Sequence, residues 1–170
     1  MRRKIFIIVA LIGLAGPTAS FAGPSISTQA APGANFSTYK TYSWVQAKAP
    51  AGGNPITYQQ IMADLDAGLA QKGYLKAASD GDLSLILTLG AQDKTDVESW
   101  GRFGLQTSVY QYTQGQLSLD AFDTKTKQAV WHGQASETIN PDKPNQSKID
   151  SAVAKFVAQF PATSAPAPTQ

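Results

Sequence analysis

The stretch Leu83-Ser84-Leu85-Ile86-Leu87-Thr88-Leu89 places a leucine at every second position. Successive side chains of a β-strand point to opposite faces. The four leucines therefore share one face, and Ser84, Ile86 and Thr88 share the other. A strand of this kind needs a sheet with one face in a core and other elements to cover that face.

Two segments supply the cover. After Asn54-Pro55, Thr57 and Gln60 stand at capping-box spacing, with Ile56 and Ile61 at staple spacing around the cap. Ile61, Leu65 and Leu69 then repeat every four residues, and Gly73 offers a left-handed stop before Tyr74. The spacing predicts a helix over 57–72. Gly68 runs against helix propensity and is expected to mark a close approach to the sheet. The second segment starts at Ser147, read as a cap. Ile149, Val153, Phe156, Val157 and Phe160 form an amphipathic stripe, and Pro161 ends it.

The remaining strands follow from alternation. Residues 36–45 alternate Lys40, Tyr42 and Trp44 with Thr41 and Ser43. Residues 115–122 carry Leu117, Leu119 and Ala121 on one side. Residues 128–139 carry Ala129, Trp131, Gly133 and Ala135 on one side. The polar link 123–127 between these two runs argues an antiparallel hairpin. Residues 92–107 mix charge, aromatics and glycine, and read as an exposed loop or an extended hairpin end. The expected fold is α+β: a two-layer sandwich with a mainly antiparallel sheet in the order β-α-β-β-β-α and two helices on one face.

The ends read differently. Arg2, Arg3 and Lys4 precede an apolar run and then small residues up to Ser20-Phe21-Ala22, the layout of a signal peptide cut ahead of Gly23. The apolar run of about eleven residues reaches only about 16 Å as a helix, short of the roughly 30 Å of bilayer hydrocarbon. The expected organisation is a signal peptide at 1–22, a flexible Gly/Ala/Pro/Ser/Thr spacer at 23–35, one domain at 36–160 and a disordered Pro/Ala/Thr tail at 161–170. Loss of the three leading basic residues turns a formal net charge of +2 into a slight negative excess. No basic block survives for nucleic acid or anionic lipid surfaces.

Composition narrows the chemistry. With 0 cysteines the chain has no disulfide, thiol nucleophile, thiolate zinc site or acylated cysteine. One histidine, His132, leaves no multi-histidine metal site. It neighbours Trp131 on a strand and is expected on the opposite face, as a surface side chain. The carboxylates come as Asp64 and Asp66, Asp80 and Asp82, Asp93, Asp96 and Glu98, and Asp120 and Asp123. The first two diverge on a helix. Asp80, Asp82 and Asp123 flank turns, where aspartate bonds local backbone. The 93–98 group lacks EF-hand spacing. No nucleophile elbow, phosphate loop or dinucleotide fingerprint is present. Two Asn-x-Ser triplets, at Asn35 and Asn145, read as linker and helix cap. No metal site, cofactor or catalytic residue is expected.

Four stretches together resemble the bacterial envelope family known as domain of unknown function 4136. They are Phe36-Ser37-Thr38-Tyr39-Lys40-Thr41-Tyr42-Ser43-Trp44; Lys72-Gly73-Tyr74; Asp82-Leu83; and Gly115-Gln116-Leu117-Ser118-Leu119-Asp120-Ala121-Phe122-Asp123 running on to Trp131-His132-Gly133. The resemblance implies small exported proteins, many lipoprotein-like, with no established activity and no recognised catalytic residues. This chain lacks the lipoprotein cysteine, which implies a soluble periplasmic or secreted form.

The expected role is that of an exported, non-enzymatic envelope protein that binds an unknown envelope protein or assembly. The candidate contacts are the aromatics of the uncertain stretch, Trp100 and Phe103, with Tyr110 and Tyr112 beside them, since such residues anchor interfaces. The alternatives are a periplasmic binder of a small apolar ligand, lipid or glycan in a cleft between sheet and helices, and a hydrolase working through carboxylates alone.

Overall fold

The structure, a computed structural model, describes residues 23–46, 54–100, 106–140, 143 and 145–163. The expected signal peptide at 1–22 lies outside the described residues.

Strands β1 (Ser25–Ala30), β2 (Thr41–Gln46), β3 (Leu75–Lys76), β4 (Leu83–Trp100), β5 (Gln106–Asp123) and β6 (Ala129–Ile139) form one sheet in the order β1-β6-β5-β4-β2-β3. Helices α1 (Pro55–Gln71) and α2 (Gln146–Ala158) complete the α+β fold. The expected antiparallel sheet is corrected to a mixed one. β1, β6, β5 and β4 pair antiparallel, but β2 runs parallel to both β3 and β4. The reason is connectivity: α1 separates β2 from its partners, and parallel neighbours need such a crossover.

Register puts the leucine face together. Leu85 opposes Ala121, Leu87 opposes Leu119 and Leu89 opposes Leu117. Ala121, Leu119 and Leu117 in turn oppose Trp131, Gly133 and Ala135. Leu65 and Leu69 of α1 and Val153 and Phe156 of α2 join this face in one core. Trp131 meets Phe156 and Phe160 edge-on, with ring centroids 5.8 and 4.7 Å apart. The opposite face carries polar pairs beside Ile86 and Phe122: Ser84 bonds Thr124, and Asp120 bonds His132.

The caps differ from expectation. Asn54, not Thr57, caps α1: its side chain accepts from the amides of Ile56 and Thr57, and Pro55 opens the first turn. Asn145, not Ser147, caps α2 by accepting from the Lys148 amide. The stop at Gly73 holds. Gly73 has φ +92°, its amide bonds the Ala70 carbonyl, and the Tyr74 amide reaches back to Leu69. Gly68 marks a close approach, but to α2 rather than the sheet: a Cβ there would collide with Val157.

Three boundaries also move. The expected spacer 23–35 contains β1, which covers the outer edge of β6 from Ser25 opposite Ser136 to Ala30 opposite Trp131. Residues 36–38 form a 3₁₀ turn rather than strand, because the Asn35 side chain accepts from the Ser37 amide. The start of the expected tail is packed. Thr163 is 4% exposed, its amide bonds the Lys72 carbonyl, and the Tyr74 hydroxyl donates to the Pro161 carbonyl. Residues 164–170 lie outside the described ones.

Candidate functional site

Of the two readings of residues 92–107, an exposed loop or an extended hairpin end, the described residues form the second. β4 and β5 pair without interruption from Leu83–Asp123 to Trp100–Gln106. β2 leaves β4 at Ile86, and β6 leaves β5 at Thr113. Beyond Thr113 the two strands run alone for seven residues on the β4 side, about 23 Å of ribbon. Here the core-facing register carries Asp93, Thr95 and Val97 against Thr113, Gln111 and Val109. Among the described residues no helix covers these positions: Val97 is 61% exposed and Val109 60%.

The sequence candidates sort along this ribbon. Tyr110, opposite Asp96, is exposed, and Tyr112, opposite Lys94, is half-buried on the same face. Partial burial and the Asp96 carboxylate push the Tyr112 phenol up. The Trp100 backbone closes the ladder opposite Gln106. Phe103 lies outside the described residues. Tyr110 and Tyr112 are thus brought together, and Val97 and Val109, which were not among the sequence candidates, pair on the other face of the ribbon. The signal for Val97 was present: Lys94-Thr95-Asp96-Val97-Glu98 alternates charged and β-branched side chains, but charge masked the period.

A second feature opens where the ribbon leaves the packed sheet. A groove of about 930 Å³ lies between the first turns of α1 and α2, the end of β6 and the base of the β4–β5 ribbon. Its wall includes Ile61, Leu89, Leu117, Ile139, Ile149 and Phe156. Lys143, Lys148 and the two capping asparagines, Asn54 and Asn145, line it as well. Lys148 lies 3.6 Å from the Glu137 carboxylate. Tyr58, on the same wall, is 5% exposed, and its hydroxyl has no hydrogen-bond partner among the described residues. Burial pushes that phenol up. Neither Tyr58 nor Lys143 was a sequence candidate, because nothing in their neighbours announces a shared cavity.

The motif residues that carry the family resemblance do structural work. Asp66 accepts from the Tyr42 hydroxyl at 2.7 Å, the Trp44 indole at 2.9 Å and the Lys76 ammonium at 2.8 Å. Burial pushes the Asp66 carboxyl up, but these donors outweigh it and hold it below its ordinary range. Asp82, expected to bond its own turn, instead reaches β2. It accepts from the amides of Lys40 and Thr41, which hold its carboxyl low. Asp123 caps the β5–β6 turn through the amides of Lys125 and Thr126, and accepts from the Tyr39 hydroxyl. His132 lies on the face opposite Trp131, its Nδ1 2.6 Å from Asp120 Oδ1.

One carboxylate pair does meet. Asp64 of α1 and Asp150 of α2 interact across the helix seam, each also bonded by a glutamine one turn earlier. Burial and then the Asp150 charge push the Asp64 carboxyl up. Asp64 Oδ2 is buried with no donor facing it. Two carboxylates hydrogen-bond only when one takes up a proton. Neither residue lines the groove. Among the described residues no three histidine, aspartate or glutamate side chains gather as metal ligands, and no helix is long and apolar enough to cross a membrane.

Solved structures share this fold. A PDZ domain protein from Parabacteroides distasonis aligns over 82% of this chain at 13% identity with a TM-score of 0.57, and the chain spans 36% of that protein's length. A DUF4136 family protein from Bacteroides thetaiotaomicron aligns over 81% of this chain and 96% of its own, at 15% identity and a TM-score of 0.54. The PelC dodecamer from Paraburkholderia phytofirmans aligns over 82% and 98%, at 14% identity and a TM-score of 0.51. A comparison with the curated proteins gives no match. Residues 26–162, from β1 through the packed residues after α2, match the sequence profile described as a domain of unknown function, DUF4136, and the chain belongs to that family.

Proposed function

We propose that this chain is an exported, non-enzymatic protein of the cell envelope that engages another protein through the β4–β5 ribbon. The observation that carries the reading is the ribbon itself. Two strands alone are marginal in water, yet here they extend past every covering element among the described residues, with Val97, Val109 and Tyr110 exposed. Their outer edges offer backbone donors and acceptors to an incoming chain, and the aromatic and β-branched side chains supply apolar area. The basic, apolar and small-residue layout of residues 1–22 supports export. A cut ahead of Gly23 leaves β1 whole. PelC, a protein of the same fold, is solved as a dodecamer, which makes a second copy of this chain the first partner to test.

The test is in-cell photocrosslinking from positions 94 and 110 in turn, with the captured species and the mature N-terminus read by mass spectrometry. The expected result is an N-terminus at Gly23 and one dominant crosslinked protein. A Val97→Ser/Val109→Ser/Tyr110→Ser variant should abolish the crosslink from position 94 and leave the melting temperature within a few degrees. Undiminished capture by that variant would sink the ribbon as the contact.

A further inference from the structure

We propose that the groove at the base of the ribbon binds an amphiphile with one long acyl chain and an anionic headgroup. Three independent features converge on this ligand. The first is shape and lining. A groove of about 930 Å³ falls within the roughly 300–1,000 Å³ of small-molecule sites, and its aliphatic wall suits a chain rather than a sugar. The wall is continuous with the core, since Leu117 and Phe156 belong to both. An acyl chain would extend the apolar stack beyond Leu89, where no described helix covers the sheet.

The second feature is charge. Lys143 and Lys148 line the groove beside the N-terminal turn of α2, whose dipole adds positive potential. Glu137 offsets Lys148 in part, at 3.6 Å. Lys143 has no ion pair among the described residues. A neutral hydrocarbon would leave these charges without a role, and a cation would meet them unfavourably.

The third feature is an unmet polar atom. The Tyr58 hydroxyl is buried on this wall without a partner among the described residues. Leaving such a group unsatisfied is unfavourable, and a headgroup oxygen or an ester carbonyl in the groove would accept from it. This ligand reading is independent of the ribbon contact proposed above.

The experiment is calorimetric titration of the full exported chain with palmitate and with lysophosphatidylglycerol, both below micelle formation, against lysophosphatidylcholine and dodecyl maltoside. One saturable site is expected for at least one anionic amphiphile, with weaker binding of the zwitterionic and neutral controls. Palmitate alone identifies a carboxylate head, and lysophosphatidylglycerol alone a phosphate head; both outcomes support the site. The Lys143→Glu/Lys148→Glu pair should weaken the anionic ligand roughly tenfold, the combined size of two partly exposed ion pairs. Ala91→Trp, an exposed position in register with Leu89, should block the groove without entering the core. Tyr58→Phe should keep or raise the melting temperature of the free protein while weakening the ligand. The inference is overturned if neither anionic amphiphile saturates a site, if the controls bind equally well, or if the lysine pair changes nothing.

Discussion

β4 and β5 are two continuous strands with two different fates. From Leu83 to Leu89 the inward side chains are leucines and the partner strand returns Leu117, Leu119 and Ala121, all packed against the helices. From Ala91 onward the same ladder continues in the same register, but the inward side chains become Asp93, Thr95 and Val97 and face solvent. Backbone pairing is therefore indifferent to burial, and the change in side chains at Gly90 and Gly115 separates a structural half from an exposed one. A protein needing only a core would end these strands near Leu89. Their continuation is the observation on which the proposed contact rests.

Paired substitutions sharpen this contrast. Leu85→Ala in the packed half should cost about 2–5 kcal/mol through lost burial and a cavity, whereas Val97→Ala in the ribbon should stay within about 0.5 kcal/mol. Urea denaturation of both variants checks it, and equal losses would break the distinction. Gly133→Ala should cost about 1–3 kcal/mol by overpacking, since its Cβ would strike the Trp131 ring and come within 2.9 Å of Phe156. Gly90→Ala meets nothing within 4 Å and should be near neutral in the same melt. Asp66→Ala should cost about 2 kcal/mol, because the buried Tyr42 hydroxyl loses its acceptor. Asp93→Ala removes only an exposed bond from Thr113 and should change stability by less than about 0.5 kcal/mol.

The smallest effect lies in the helices that cover the packed half. Asp66 is held below the ordinary carboxyl value of 3.8. Its contribution is present above that value and is lost as pH falls through the lowered one. Asp64 is raised above 3.8, so only between that value and the raised one does the folded state hold a proton that the unfolded state has released. Its contribution is present below 3.8 and fades as pH rises through the raised value. Asp64→Asn should therefore stabilise the protein at pH 7 by a few tenths of a kcal/mol, with the gain vanishing near pH 3. Thermal melts across that range decide it; a loss of stability at pH 7 would show that the Asp64 charge is needed.

Much of the packed half was legible in the sequence, and for a physical reason. Alternating leucines, the stripes of both helices and the stop at Gly73 are local patterns that report burial directly. The alternation alone assigns the leucines from Leu83 to Leu89 to a core, and the second helical stripe does the same for Phe156. The Asp123 turn and the outward His132 followed from the same periodicity. The candidate sites were less legible. Tyr110 and Tyr112 share a face because strand parity places them there. The groove, by contrast, joins Tyr58, Leu117, Ile139 and Lys143 from four separate segments, and only packing brings them within reach of one ligand.

The amino-acid sequence by itself determined which faces of the central strands and helices are apolar and where the helices stop, because each of these depends on near neighbours in the chain. Tertiary structure decided the rest. β1 is a strand because β6 presents an open row of backbone groups to it, although most of its own residues are small, polar and exposed. β2 lies parallel to β4 because α1 intervenes between them. Asp66 and Asp82 are clamps because distant hydroxyls and amides converge on them. A carboxylate's partner, a strand's direction and the occupant of an edge are all set by what folding brings close, which no window of sequence contains.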